Sequence, residues 1–495
     1  MIRDVDRRAQ ELVDGLLAEP WGQVSPSVYE TGRLVAFTPW LAGHAERVAF
    51  LLRTQRPDGG WGPDGEPGYL LVPSLSAIDA LLAEGSAEAA AAAHRGLDRM
   101  RPLLAAPPQL PDTPAIELIS ASLIRSIDSR LPGALPAPAA LDDGTLDLVM
   151  AAAKQGGPLP QKMWHALEII GPAAAGLPGV PVENMGGVGA APAATAAWLG
   201  GTEPPPSDPS RRFLETAARQ HGGPVACGLP ITVFERSWVL TLLSRAGLAF
   251  DPHPELLLSL SAPLGPDGVA TGPGLPPDAD TTSAVLYALT LLGRRVAPDP
   301  LTGYETETNF RTWPGGEQGR SVTTNAHVLE VFGQHARLEP GAGHEATAAK
   351  VAAWLREVQR ADGSWTDRWH ASPYYATMAT ALALAEFGGE ESADSVRAAL
   401  RWVRDTQRPD GSWGVWGGTA EESAYALHVL LLAGDPEDAV EQVRAGAGFL
   451  AGAADDEPPA LWHDKDLYLP VAIVRAAVLA ASHLAQVQLG GTLVT

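Results

Sequence analysis

The feature that most constrains this chain is a short motif met three times. Gln-Arg-Pro/Ala-Asp-Gly-Gly/Ser-Trp runs over 55–61, 359–365 and 407–413. Asp-Gly marks a tight turn, with the Gln on one side and, on the other, an indole able to stack on the adjoining helix end. A second repeat runs beside it. Helices rich in Ala and Leu stop at Gly247, Gly293, Gly333, Gly388 and Gly434, at intervals of 46, 40, 55 and 46. Glycine at that place is the usual left-handed cap. An interval in the forties holds two helices and their connections. Five such pairs, with a last helix over 467–484 completing a sixth, close an α/α barrel. The inner helices are apolar around much of their circumference, as buried helices must be, and strand-like alternation is nearly absent. The fold class expected is all-α.

The first half is less regular. It carries one copy of the Gln–Trp motif and one clear Leu-to-Gly helix, over 75–85. Pro-rich stretches interrupt it over 105–114, 131–139 and 201–209. A chain of 495 residues exceeds what one core usually supports, so two domains are expected. The expected division is a helix over 1–25 packing on the barrel, a second helical domain over 26–225, and the barrel over 226–495.

Composition excludes several partners. The net charge is −23 and no Lys/Arg-rich tract is present, so a nucleic-acid backbone finds no basic footprint. An anionic ligand must be held by a few local cations or by a bridging metal. Cys227 is the single cysteine, which excludes internal disulfides and Cys-rich zinc sites and fits a reducing compartment. The first residues lack the apolar core of a signal peptide. The most apolar run, 467–484, is interrupted by Pro470, Arg475 and His483 and falls short of a membrane span of ~20 residues. A cytoplasmic protein without integral membrane association is expected, with a homodimer possible.

The chemistry concentrates in Asp278-Ala-Asp280-Thr281-Thr282, at the start of the apolar run 283–292. Asp and Thr are favoured helix caps, so one carboxylate has a structural reading. The other reading is a device for keeping an acid protonated. Burial raises a carboxyl pKa, and a second carboxylate nearby raises one of the pair further. A strong acid aimed into an aromatic-lined cavity points to carbocation chemistry. Both readings stand on the pentad alone.

Further segments carry a resemblance: 160–168 (PQKMWHALE), 234–238 (FERSW), 321–328 (SVTTNAHV), 367–375 (DRWHASPYY) and 421–425 (EESAY). With the Gln–Trp motifs and the Asp pentad, they make the chain resemble the bacterial class II terpene cyclases. These retain the diphosphate and are built from two α/α-barrel domains, β and γ. The resemblance implies that Asp280, the middle Asp of the family's Asp-x-Asp-Asp motif, protonates a terminal alkene. Asp278 would supply a second charge or hydrogen bond. Thr281 replaces the family's third Asp and would orient the acid. The variant pentad is most similar to that of drimane-forming sesquiterpene cyclases. The resemblance therefore implies conversion of farnesyl diphosphate to drimenyl diphosphate, with a copalyl-type product from geranylgeranyl diphosphate as the alternative.

The same resemblance assigns binding roles. Trp238, Trp313, Tyr374, Tyr375, Trp416 and Tyr425 are implied to face the cation through their rings. Lys162 and Arg368 match basic residues that pair with phosphate, with Lys465 as a further candidate. Glu117 aligns with an acidic residue that looks like a Mg²⁺ ligand, and a carboxylate with phosphate oxygens is how Mg²⁺ is commonly held. His165 matches the histidine of a His–Asn pair that holds a water in plant enzymes, but the Asn position falls on Cys227. Asp142-Asp143 and Asp455-Asp456 lack the third Asp of an ionising metal motif, so the diphosphate is expected to survive.

Three rival readings are weaker. A protein prenyltransferase needs a Cys zinc ligand with Asp and His around it, and Cys227 lacks that context. A glycosidase needs its carboxyls ~5–9 Å apart across a bond, which two residues of separation do not guarantee. A non-catalytic scaffold would have no reason to keep the Asp pair beside candidate phosphate cations.

Overall fold

The computed structural model describes residues 2–492 except 137, 139–140, 142, 156–158, 316–319 and 454–457. Asp142, Asp455 and Asp456 therefore lie outside the described residues. Two helical barrels account for most of the rest.

In the second barrel the inner helices are Thr232–Arg245, Ala279–Leu291, Val322–Leu338, Pro373–Phe387, Ala420–His428 and Val471–Thr492. Each packs on the next, and the last packs back on the first, which closes the ring. Helices Pro254–Ser261, His344–Glu357, Ala393–Asp405 and Val440–Gly452 lie outside it, and Ile2–Ala18 covers the seam between the last inner helix and the first. The first barrel is a smaller ring of Val28–Phe37, Leu71–Glu84, Ile116–Arg130, the 3-10 stretch Gln161–Ala174, and Pro192–Leu199, closed in the same way. The all-α barrel read from the repeats, and the pair of α/α barrels that the resemblance implies, are observed. Helix Pro209–Arg219 packs on Pro192–Leu199, while its Phe213 and Leu214 join the core of the second barrel.

The repeated motif makes the same bonds three times. Gln55, Gln359 and Gln407 each donate from Nε2 to the carbonyl of the turn glycine and to a carbonyl of the following outer helix (Ala92, Ser395 and Gln442), at 2.8–3.0 Å. Trp61, Trp365 and Trp413 are fully buried and donate from Nε1 to Leu51, Leu355 and Val403 at 2.7–2.8 Å. The turn thus ties one outer helix to the end of the preceding one. Gly363 and Gly411 have φ near +90°, and a Cβ there would come within 2.6 Å of a carbonyl of the next helix, so no other residue fits.

Two sequence expectations change. Of the five helix-ending glycines, Gly247 and Gly293 are left-handed caps, but Gly333, Gly388 and Gly434 are not. Gly333 sits inside its helix because a Cβ would strike the Phe387 ring, and Gly388 and Gly434 lie equally close to Ser392 and Leu400. The last inner helix also starts later than residue 467. Leu467–Tyr468 pairs with Trp462–His463 as an antiparallel hairpin, and the helix begins after Pro470. By length and composition, Val471–Gly490 is the one helix among the described residues that could cross a membrane, although the sequence reading finds no such run. Here it closes the ring.

Candidate active site

A cavity of about 330 Å³ lies between the barrels, at the mouths of the inner helices of the second. The first barrel contributes Ala115, Lys162 and His165, and the second Phe234, Asp278, Asp280, Thr281, Trp313 and Arg368. The Asp pentad sits on its wall because Asp278 is the N-cap of helix Ala279–Leu291.

The two carboxylates have different jobs. Asp278 accepts the Thr281 N–H at 2.6 Å and the Thr271 hydroxyl at 3.1 Å, so it does cap the helix. Burial and the charge of Asp280 push its pKa up to about 7. Asp280, two residues further on in the same first turn, is free of capping duty. Its Oδ1 lies 2.7 Å from Nδ1 of His327, six residues into the next inner helix. Burial works against charge on His327, but Asp280, with Glu330 and Asp367 behind it, raises the imidazole pKa above its usual value. His327 lies in a segment that carried the resemblance, yet the sequence reading gave it no role. Thr281 is expected to orient the acid. Instead its N–H and its hydroxyl, 2.8 Å from Thr271, serve Asp278, and Asp280 is oriented by His327.

The aromatic candidates separate. Trp313 lines the cavity, edge-on to Trp369 at 5.3 Å. Trp238, Tyr375 and Tyr425 line a smaller hollow of about 40 Å³ deeper in the barrel, which His327 also borders. Trp238 Nε1 donates to the Tyr375 hydroxyl at 2.8 Å, and its ring stands edge-on to His327 at 5.1 Å. Tyr374 lines neither space. Adjacent residues on a helix point about 100° apart, and Tyr374 faces outward onto Trp402 of an outer helix. Trp416 is also a correction: it packs on Tyr69 and over Gly65 and lines neither hollow. Phe234, Trp369, Trp462 and Tyr468 line the cavity and were missed. Trp462 and Tyr425 are aimed by one buried carboxylate, Glu421, at 2.7 and 3.0 Å.

The candidate phosphate cations separate as well. Lys162 is exposed where it lines the cavity. Arg368 lines it too, with Nη2 3.1 Å from Asp112 and its guanidinium over the Trp369 ring. Lys465 is the clear correction. Its side chain is wholly buried between Glu30 at 2.5 Å and Glu168 at 2.8 Å, and it also donates to the His165 carbonyl. Burial opposes its charge, but Glu168 and Glu30 more than restore it. It joins the barrels and has no bond left for phosphate. His165 faces two acceptors, the Gly189 carbonyl at 2.7 Å and Asp464 at 2.8 Å, so both ring nitrogens donate and the ring is a cation. That protonation leaves it no lone pair with which to act as a base. Glu117 is exposed on the first turn of Ile116–Arg130, two residues from the cavity-lining Ala115.

Known proteins share this sequence and fold. Residues 319–464 match the squalene-hopene cyclase C-terminal domain. The chain is 43% identical over 490 residues to an ent-copalyl diphosphate synthase of Streptomyces sp. (strain KO-3988), covering 95% of this chain and 94% of that one. It is 42% identical over 515 residues to a labda-7,13-dienyl diphosphate synthase of Streptomyces clavuligerus, covering 97% and 92%. The structure of ent-copalyl diphosphate synthase from Streptomyces platensis superposes with a TM-score of 0.91 at 41% identity, over 97% of this chain and 99% of that one. These relatives carry copalyl- and labdane-type names, which favours the alternative over the drimane reading. The chain belongs to the class II terpene cyclases.

Proposed function

We propose that this enzyme cyclises geranylgeranyl diphosphate to a copalyl-type bicyclic diphosphate by protonation, with the diphosphate retained. The observation that carries this reading is the Asp280–His327 contact at 2.7 Å, on the wall of the cavity between the barrels. The names of the full-length relatives support the C20 substrate.

An alkene is a very weak base, so the acid must lose its proton to carbon without leaving a naked buried carboxylate. His327 donates Nδ1–H to one oxygen of Asp280 and leaves the other for the transferable proton. When that proton moves to the terminal alkene carbon, the imidazolium already faces the carboxylate being formed. The terminal alkene's electron pair makes the C–H bond and leaves a tertiary cation. The second alkene's pair attacks that cation to close the first ring, and the third alkene's pair attacks the new cation to close the second. A proton lost from the carbon beside the last cation to solvent water, with Asp280 reprotonated from solvent, then restores the count, so the overall change is an isomerisation. The moving positive charge passes Trp313, Trp369 and Phe234, with Trp238 and Tyr375 deeper, and aromatic faces stabilise such charge by about 0.5–2 kcal/mol each. Arg368 and Lys162 would hold the diphosphate, which positions the chain for ring closure. A carboxylate together with phosphate oxygens would suit Mg²⁺. Glu117 would hold it, and the ion would supply charge neutralisation.

The test is to incubate the purified protein and Mg²⁺ with geranylgeranyl or farnesyl diphosphate, treat with phosphatase, and identify the alcohols by gas chromatography–mass spectrometry. A bicyclic C20 alcohol that Asp280→Ala abolishes is expected. A bicyclic C15 alcohol alone would keep the mechanism and restore the drimane reading. Linear alcohols alone from both would overturn the proposal.

A further inference from the structure

The other end of the second barrel holds a cluster that the cyclisation does not use. Helix Val322–Leu338 carries His327 near its start and His335 eight residues later, roughly 12 Å further along the axis. Glu339 follows as the C-cap, and His344 opens the outer helix His344–Glu357. The turn between them contains Gly341 and Gly343 at φ +86° and +93°, which lets the chain fold straight back. One ligand atom from each of His335, Glu339 and His344 consequently lies within 4.8 Å of the other two.

The imidazole environment is unusual. His335 is 3% exposed, and its Nε2 is buried with no hydrogen-bond partner. Such a group costs free energy comparable to a lost hydrogen bond unless something else satisfies it. The His344 ring stands at 70° to that of His335, with centroids 5.6 Å apart, so the rings meet edge to face with their nitrogens close together. Glu339 is exposed and His344 half-buried, which leaves an open side through which an ion can enter.

We infer that His335, Glu339 and His344 form a binding site for a divalent transition-metal ion of the Zn²⁺ type. Two imidazoles and one carboxylate suit Zn²⁺ and its neighbours, whereas Mg²⁺ and Ca²⁺ prefer all-oxygen sites. Ligands at about 2.0–2.2 Å around a tetrahedral ion stand about 3.3 Å apart, so side-chain rotation suffices to close the cluster. A solvent water takes the fourth position. The ion clamps an inner helix to its outer neighbour across one turn. Because it lies at the opposite end of the helix from the acid's partner, it acts on the stability of this corner and takes no part in the chemistry.

The test uses untagged full-length protein stripped with a chelator. Zn²⁺ is titrated by calorimetry, and Co²⁺ by its visible absorption. One equivalent per chain is expected, with the absorption of an N/O-ligated low-coordinate Co²⁺ and a rise in Tm on loading. His344→Ala and Glu339→Gln change residues at the surface end of the cluster, so the fold survives. Each should weaken binding about tenfold or more and remove the Tm shift, while cyclisation by the stripped protein is unchanged. Absence of stoichiometric binding, or binding that both variants leave intact, would overturn the site.

Discussion

The two barrels are built alike and hold their buried charges differently. In the first, Asp79 is 1% exposed and fully engaged: Arg33 donates to it at 2.8 Å, Ser126 at 2.7 Å and Arg130 at 3.3 Å. Arg33 in turn is bonded to the Ser76 side chain and carbonyl. Although this cluster borders a cavity of about 290 Å³, both Asp79 oxygens are bonded to fixed donors of the ring. In the second, Asp280 has one hydrogen-bond partner among the described residues, His327, and faces a cavity. The same scaffold thus yields a lock in one ring and an acid in the other. What differs is whether the carboxylate is saturated by fixed donors or left with an oxygen to give.

That contrast can be broken from either side. The largest effect belongs to Asp280→Asn, which removes the transferable proton. Cyclisation should fall by about 10³-fold or more, with helicity by circular dichroism unchanged. Asp79→Asn should do the reverse. It strands the buried Arg33 and costs about 3–5 kcal/mol of stability, read by urea unfolding, while any folded fraction still cyclises. Full loss of chemistry in folded Asp79→Asn would end the distinction between lock and acid. His327→Phe keeps the packing against Trp238 but removes the donor to Asp280. A fall of about 10²-fold in kcat with KM little changed is expected.

The smallest effect concerns pH. The Asp278 carboxyl is raised to about 7 in the folded chain from its ordinary 3.8. The folded state therefore keeps a proton that the unfolded chain loses, and this group's contribution to stability declines as pH rises from about 4 to about 7. Asn can still cap the helix. Asp278→Asn should flatten the stability profile between about pH 5.5 and about pH 8 by roughly 1–2 kcal/mol, measured by denaturant unfolding at the two values. An unaltered slope would mean that Asp278 is ionised in the fold.

Much of this was legible in the sequence, for local reasons. The turn of the Gln–Trp motif and the cap of the Asp pentad are set by neighbours a few residues away, so they follow from spacing, whereas the bond from each motif Gln to the next outer helix does not. Tyr374 and Tyr375 marked the correct helix, but adjacency alone did not decide which of them faces inward. His327 stands 47 residues from Asp280, and nothing in its own surroundings marks it as that residue's partner. Lys465 lies in Trp462-His-Asp-Lys-Asp-Leu-Tyr468, a charged stretch that reads as solvent-facing. Its burial depends on Glu30 and Glu168, two carboxylates supplied by another barrel. The helix-ending glycines located the ring correctly, but three of them are there to admit a neighbouring side chain rather than to turn the backbone.

The Lys465 bridge also bears on the order in which the protein is made. Glu30 and Glu168 leave the ribosome about three hundred residues and more before the lysine that neutralises them. Ser27 and the Tyr29 N–H, which bond Asp466 at 2.8 and 3.1 Å, wait equally long. During synthesis the first barrel therefore carries two acids without their counter-ion, and it reaches its final form only when the hairpin of residues 462–468 arrives. Nascent chains halted before residue 465 should hold that barrel loosely and leave it open to proteases. Emergence of the segment 462–468 would be the event that fastens both halves.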